Sequence, residues 1–151
     1  MNRRHFLLSA GALAAISAVP ALAAPSAAGL QVFKSPTCGC CGAWVEHMHA
    51  AGFTAKVTEV DDTTAVRKRL GLPDRYGSCH TATVAGYVIE GHVPAAEVKR
   101  LLTMRPKALG LAVPGMPPSA PGMDVPGRQD PYDVLLIGTE GRSKVFATYP
   151  K

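Results

Sequence analysis

The stretch S-P-T-C-G-C-C-G-A-W, residues 35–44, puts Cys38, Cys40 and Cys41 within four positions of one another, behind a proline and between glycines. What flanks it limits the folds open to the chain. Leu30-Gln31-Val32-Phe33 alternates as a strand does, and Ser35-Pro36-Thr37 stops it. Beyond Cys40, Trp44, Val45, Met48 and Ala51 recur at helical spacing, and Gly52 stands where a helix C-terminal glycine belongs. The cysteines therefore fall at the junction of a strand and the start of a helix. Unpaired backbone N–H groups and the positive end of the helix dipole meet there, and both favour thiolate over thiol.

The same patterning continues downstream. Residues 54–61 alternate as a second strand, residues 63–70 read as a short helix closed by Gly71, and residues 81–85 and 87–90 flank Gly86 as a hairpin. Residues 94–104 follow as a helix with Val98, Leu101 and Leu102 on one face, and residues 132–137 and 144–148 as a last pair of strands. A strand-helix-strand-helix opening followed by a hairpin predicts an α/β domain with a mixed central sheet and flanking helices. From Pro106 to Pro131 there are seven prolines, four glycines and two methionines without periodicity, so this segment is expected to be a long loop. Within it Pro114-Gly115-Met116 and Pro121-Gly122-Met123 repeat one tripeptide seven residues apart.

The chain of 151 residues has room for one domain. Its first residues have the grammar of a secretory signal: a basic start, an uncharged apolar run from Phe6 to Val19, and Ala21-Leu22-Ala23 as a cleavage site. Residues 1–23 are expected to be removed, with 24–29 a short linker and 30–151 the functional domain. Arg3-Arg4 before His5, Phe6 and Leu7 is also the pattern of a twin-arginine signal, which passes folded proteins. The apolar run is too short for a membrane span, so no stable span is expected after cleavage near Ala23. The cleaved chain of 128 residues has a net charge of +3. Lys56, Arg67, Lys68, Arg69, Lys99 and Arg100 are scattered over helix and strand faces without interleaved aromatics, which excludes nucleic acid and predicts a solvated face. All four cysteines lie in the exported part, where disulfides form and exchange.

Cys38 and Cys41 have the C-x-x-C spacing of a dithiol redox centre, with Cys40 inserted. A third thiolate is a competing exchange partner for such a centre and suits a soft cation better. Soft sulfur selects Cu(I), and neutral methionine thioethers strengthen the preference. Zinc and iron–sulfur sites use separated ligand pairs, which the adjacent Cys40 and Cys41 are not. Ser78-Cys79-His80-Thr81, at the entry to the third strand, is the second constellation, and His92 on the loop after the hairpin could complete a copper site. His47 and His49 face different sides of the helix and are expected at the surface, whereas Trp44, Met48 and Met104 are expected in the core.

Taken in order, S-P-T-C-G-C-C-G-x-W, G-S-C-H-T-A, V-I-E-G-H-V-P-A, A-V-P-G-M-P and P-G-M-D resemble the CopG-like periplasmic copper-resistance proteins, from about Gln31 to Lys151. The resemblance implies a thioredoxin-like fold whose cysteine cluster is a site for more than one copper ion. By motif, Cys38, Cys40 and Cys41 match the cluster, Cys79 and His80 the facing loop, His92 the histidine loop, and Met116 and Met123 the methionine loop. The expected function is that of a periplasmic protein binding Cu(I), with cycling to Cu(II) open, for copper tolerance or handling. Copper ions and another exported copper-handling protein are the expected partners. The alternative is a thiol–disulfide or copper oxidoreductase using Cys38 and Cys41. A redox enzyme of the thioredoxin kind would carry a proline where Cys79 and His80 stand.

Overall fold

The computed structural model describes residues 28–150; the expected export signal and cleavage near Ala23 lie outside the described residues. In chain order the elements are β1 (Gly29–Lys34), α1 (Gly39–Ala50), β2 (Thr54–Glu59), α2 (Thr63–Arg69), a 3-10 turn (Asp74–Tyr76), β3 (His80–Val84), β4 (Tyr87–Glu90), α3 (Ala95–Met104), β5 (Gly110–Ala112), β6 (Tyr132–Ile137) and β7 (Ser143–Tyr149). All the strands form one sheet in the order β2-β1-β3-β4-β5-β6-β7. β1 and β2 are parallel, as are β4 and β5, and the remaining neighbours are antiparallel. The mixed sheet with flanking helices is the architecture the patterning predicts.

The strand alternation divides the sheet into two faces. Val32, Ala82, Ile89 and Leu111 share a core with Trp44, Val45 and Met48 of α1 and Val98 and Leu101 of α3. Val88, Ala112 and Ile137 turn the other way, onto Leu72 and Tyr76 from the segment after α2. The large core thus holds α1 against the sheet, which fixes the cysteine-bearing end of the helix at the tip of β1.

Local chemistry sets the helix ends. Asp62 caps α2 by accepting hydrogen bonds from the Thr64 and Ala65 N–H groups, at 2.8 and 3.1 Å. Cys38 is the N-cap of α1 and supplies no side-chain cap of that kind. No acidic residue lies in the first turn of α1, so the dipole there meets sulfur rather than carboxylate. The first turn of α3 has an external cap: Nε2 of His47 accepts the Ala95 N–H at 3.0 Å.

Four expectations need correction. The segment from Pro106 to Pro131 is not all loop, because β5 lies within it. A three-residue strand buried throughout shows no alternation, and its first residue is glycine for a spatial reason: a Cβ on Gly110 would lie 1.7 Å from the Val88 carbonyl oxygen. Met104, expected in the core, is 60% exposed, since it ends α3 where Arg105 turns left-handed. Arg67, expected on a solvated face, is buried and ion-paired with Glu90 at 2.8 Å. His47, expected at the surface, is half-buried because it caps α3.

Candidate metal centre

The start of α1 and the entry to β3 face each other, and four sulfurs meet between them. Cys38 and Cys41 are joined as a disulfide, while Cys40 and Cys79 are free thiols. Cys40 Sγ lies 3.5 Å from Cys38 Sγ and 4.0 Å from Cys79 Sγ, and Cys41 Sγ is 3.4 Å from Cys79 Sγ. All four sulfurs fall within 4.8 Å of one another. Three thiolates side by side were the expectation from sequence. The C-x-x-C spacing instead lets one helical turn bring Cys38 and Cys41 together, and the sulfurs close as a pair with Cys40 outside it.

A second group shares Cys79. The ligand atoms of Cys79, His80 and His92 also lie within 4.8 Å of one another. His92 Nε2 is 3.1 Å and His80 Nδ1 3.4 Å from Cys79 Sγ. Both imidazoles are fully buried. The Pro121 carbonyl fixes the His92 tautomer: it sits 2.8 Å from Nδ1 and accepts that N–H, which leaves the Nε2 lone pair facing Cys79. His80 is gripped by rings on two sides, with Trp44 at 4.5 Å and His92 at 5.0 Å between centroids. Trp44 is itself anchored by donating its indole N–H to the Val93 carbonyl at 2.9 Å.

The electrostatics prepare the nitrogens and withhold the sulfur. Burial lowers His80 to about 3, helped by the neighbouring His92, and burial likewise lowers His92. Both rings are neutral at neutral pH and present lone pairs. Burial, reinforced by the charge of Cys40, pushes the Cys79 thiol up to about 12. The activation expected from the helix dipole therefore does not extend to Cys79, which faces the helix end from across the site. A cation bound at this sulfur must displace its proton.

The arrangement fits a soft metal. The donors are sulfur and neutral imidazole, with no carboxylate in either group. His80 Nδ1 and His92 Nε2 both face Cys79 Sγ, so each neutral ring can direct a lone pair at an ion held by that sulfur.

Of the residues singled out from sequence, Cys38, Cys40, Cys41, Cys79, His80 and His92 are brought together. The methionines lie on turns pinned to opposite sides of the cluster. The Gly115 N–H donates to the Gly77 carbonyl at 3.0 Å, and the Gly115 carbonyl accepts from the Ser78 hydroxyl, next to Cys79. At the other turn a Cβ on Gly122 would lie 2.6 Å from Trp44 N and 2.9 Å from Cys40 O, so only glycine allows this approach to α1. Met116 is exposed and Met123 half-buried. Sequence reasoning missed the buried Arg67–Glu90 pair behind Cys79. Its one trace is the glutamate in V-I-E-G-H, an acid inside an otherwise apolar strand.

The depressed histidines give a prediction on stability. His47, His80 and His92 all lie below the ordinary value of 6.5, chiefly through burial. Below that value the unfolded chain takes up protons that the folded chain refuses, so acid favours unfolding by up to about 1.4 kcal/mol per pH unit for each of the buried His80 and His92, and by less for the part-exposed His47. Glu90, raised by burial, acts in the opposite sense but carries a single proton. The urea midpoint of the metal-free protein should fall between about pH 7 and pH 5; a midpoint that rises on acidification contradicts the assignment.

Comparison with known proteins finds relatives of the chain by sequence and by fold. The sequence family described as "Protein of unknown function, DUF411" matches residues 76–123, the stretch holding Cys79, His80, His92 and both methionine turns. Among curated proteins, none matches the chain. Two solved structures titled "Copper resistance protein copG", Form 2 and Form 1, are both 42% identical to the chain. Form 2 superimposes with a TM-score of 0.78 over 82% of this chain and 99% of that one, and Form 1 with 0.77 over 82% and 98%.

Proposed function

This chain belongs to the family of the copper resistance protein CopG, and on that footing we propose that it binds copper as Cu(I), more than one ion per chain, in the periplasm after export. The observation that carries the reading is the pair of donor groups meeting at Cys79: four sulfurs on one side, and one sulfur with two neutral imidazoles on the other. One thiolate common to both groups suits ions held close together. Cys38, Cys40, Cys41, Cys79, His80 and His92 are the ligands, and the sulfurs of Met116 and Met123 supplement them from the two pinned turns. Among the described residues no helix is long and apolar enough to cross a membrane. The Pro/Gly/Met loop would be the docking surface for another exported copper-handling protein. Sequestration of Cu(I) behind buried ligands is then the contribution to copper tolerance.

Titrating the reduced protein with Cu(I) without oxygen, against a competing chelator, should give a sub-micromolar Kd. Changing Cys38, Cys40 and Cys41 together to serine should abolish binding at the four-sulfur group and leave only the ion held by Cys79, His80 and His92. Unchanged affinity in the triple variant would end this reading. Metal analysis of protein from the exported fraction checks the ion and the compartment together.

The Cys38–Cys41 disulfide favours a second reading, in which the same pair exchanges electrons with thiols or with bound copper. The β-α-β-α-β-β-α order of the first seven major elements supports a thioredoxin-like origin. Against general disulfide exchange stands the substrate-facing position, taken by Cys79 and His80 rather than proline. Reduction of insulin disulfides at a rate well above that of free dithiol would favour the exchange enzyme.

A further inference from the structure

We propose that Glu90, paired with Arg67, is a positioning residue of the metal centre, one buried carboxylate that holds the backbone on both sides of Cys79-His80. Glu90 is fully buried at the end of β4. Its Oε1 accepts the Ser78 N–H at 2.7 Å and an Arg67 N–H at 2.8 Å, and its Oε2 accepts the Thr81 hydroxyl at 2.6 Å. Ser78 precedes Cys79 and Thr81 follows His80, so the two candidate ligands hang between two attachments to a single side chain. The next residue continues the clamp: the Gly91 N–H donates to the His80 carbonyl at 2.9 Å, and His92 follows directly. A Cβ on Gly91 would lie 2.5 Å from the Ser78 side chain and 2.6 Å from the Val113 carbonyl oxygen, so the fit is close on every side.

Arg67 braces the carboxylate from α2. It also donates to the Ser78 carbonyl at 3.4 Å and to the Thr64 hydroxyl at 3.2 Å, and its Nε lies 3.5 Å from Asp74 Oδ1. Gly77 leaves room for it, since a Cβ there would come within 2.8 Å of the guanidinium carbon. Stability alone does not explain this arrangement. Apolar side chains of similar volume are often as stable as a buried ion pair or more so. What the pair adds is direction: hydrogen bonds with fixed geometry to the residues bracketing Cys79 and His80. Ligand spacing matters at a metal site, and partners outside the ligand shell are typically worth a factor of about 10–100 in affinity.

The inference rests on the copper reading for its metal probe, and its test includes a metal-free measurement. Two double variants remove the charge pair alike: R67M/E90Q leaves an amide able to serve Ser78 and Thr81, and R67M/E90L leaves nothing that can. Each is compared with the wild type for thermal unfolding, for Cu(I) affinity against a chelator, and for the alkylation rate of Cys79 relative to Cys40 in the same reduced, metal-free molecule. The leucine variant should bind Cu(I) about tenfold to a hundredfold more weakly and alkylate several-fold faster at Cys79, while the glutamine variant stays near the wild type in both. Wild-type affinity and an unchanged alkylation ratio in the leucine variant overturn the proposal. So do losses in both variants that merely follow their unfolding temperatures. A wild type that takes up no Cu(I), with an alkylation ratio that still responds to leucine, removes the copper reading and keeps the positioning role. If the leucine variant does not fold, T81V, which deletes one attachment and keeps the ion pair, should show the same two changes at a few-fold, and no change there overturns the claim.

Discussion

Oxidised protein, with Cys38 and Cys41 joined, is expected to bind Cu(I) at the four-sulfur group roughly ten-thousandfold more weakly than reduced protein. The disulfide removes two of the four sulfurs and leaves Cys40 and Cys79, 4.0 Å apart. Structural zinc sites of four ligands bind with about 10–16 kcal/mol, or roughly 3 kcal/mol for each ligand, and on that scale two lost sulfurs cost about 6 kcal/mol. The Cys79, His80 and His92 group contains neither bridged sulfur and should persist. Linkage runs in the other direction too: bound Cu(I) must oppose disulfide formation by the same factor, because it binds one redox form and not the other. Thiol titration should find four reactive sulfurs after reduction and two after oxidation, matching the bridged pair and the two free cysteines. A chelator competition on the two forms then measures the effect. Equal affinities would show that Cys38 and Cys41 are not ligands.

The second large effect is expected at one atom. Cys79 Sγ belongs to both donor groups, whereas Cys40 belongs to the first alone. Serine at position 79 preserves size but offers a hard hydroxyl oxygen that holds a soft ion poorly. Cys79→Ser should therefore weaken both groups, each by roughly a hundredfold on the same per-ligand reckoning. Cys40→Ser should weaken the four-sulfur group only. X-ray absorption would register the difference as one sulfur neighbour fewer at every bound copper in the first variant and at only part of the copper in the second. Indistinguishable variants would mean that the two groups do not share a ligand. The serine change should not damage the fold, because Cys79 is only half-buried and ends outside β3.

The candidate site was legible in part because its chemistry is written in residue types with few other uses. Three cysteines within four positions and S-C-H-T-A are rare patterns, and the strand and helix periodicities on either side gave them places. Periodicity fails where an element is short and buried on both faces, which is why β5 could not be read from Gly110-Leu111-Ala112. It fails also for a charged residue whose partner is distant in the chain. Arg67 looks like its neighbours Lys68 and Arg69, and only the folded β4 beside it supplies the Glu90 that draws it inside.

The sequence by itself determined the elements and the reactive types: a strand feeding cysteines into the first turn of an apolar-faced helix, and a second set of sulfur and imidazole waiting some forty residues on. Those are properties of local spacing, which backbone geometry converts directly into a helix face or a strand edge. The tertiary structure alone decided which sulfurs meet, that Cys79 is common to two donor groups, that its thiol stays protonated while His80 and His92 stay neutral, and that Glu90 holds the whole entry to β3. Distances and desolvation depend on what packs against a residue, and the antiparallel pairing of β3 with β1 and β4, not any local run of residues, brings these groups together.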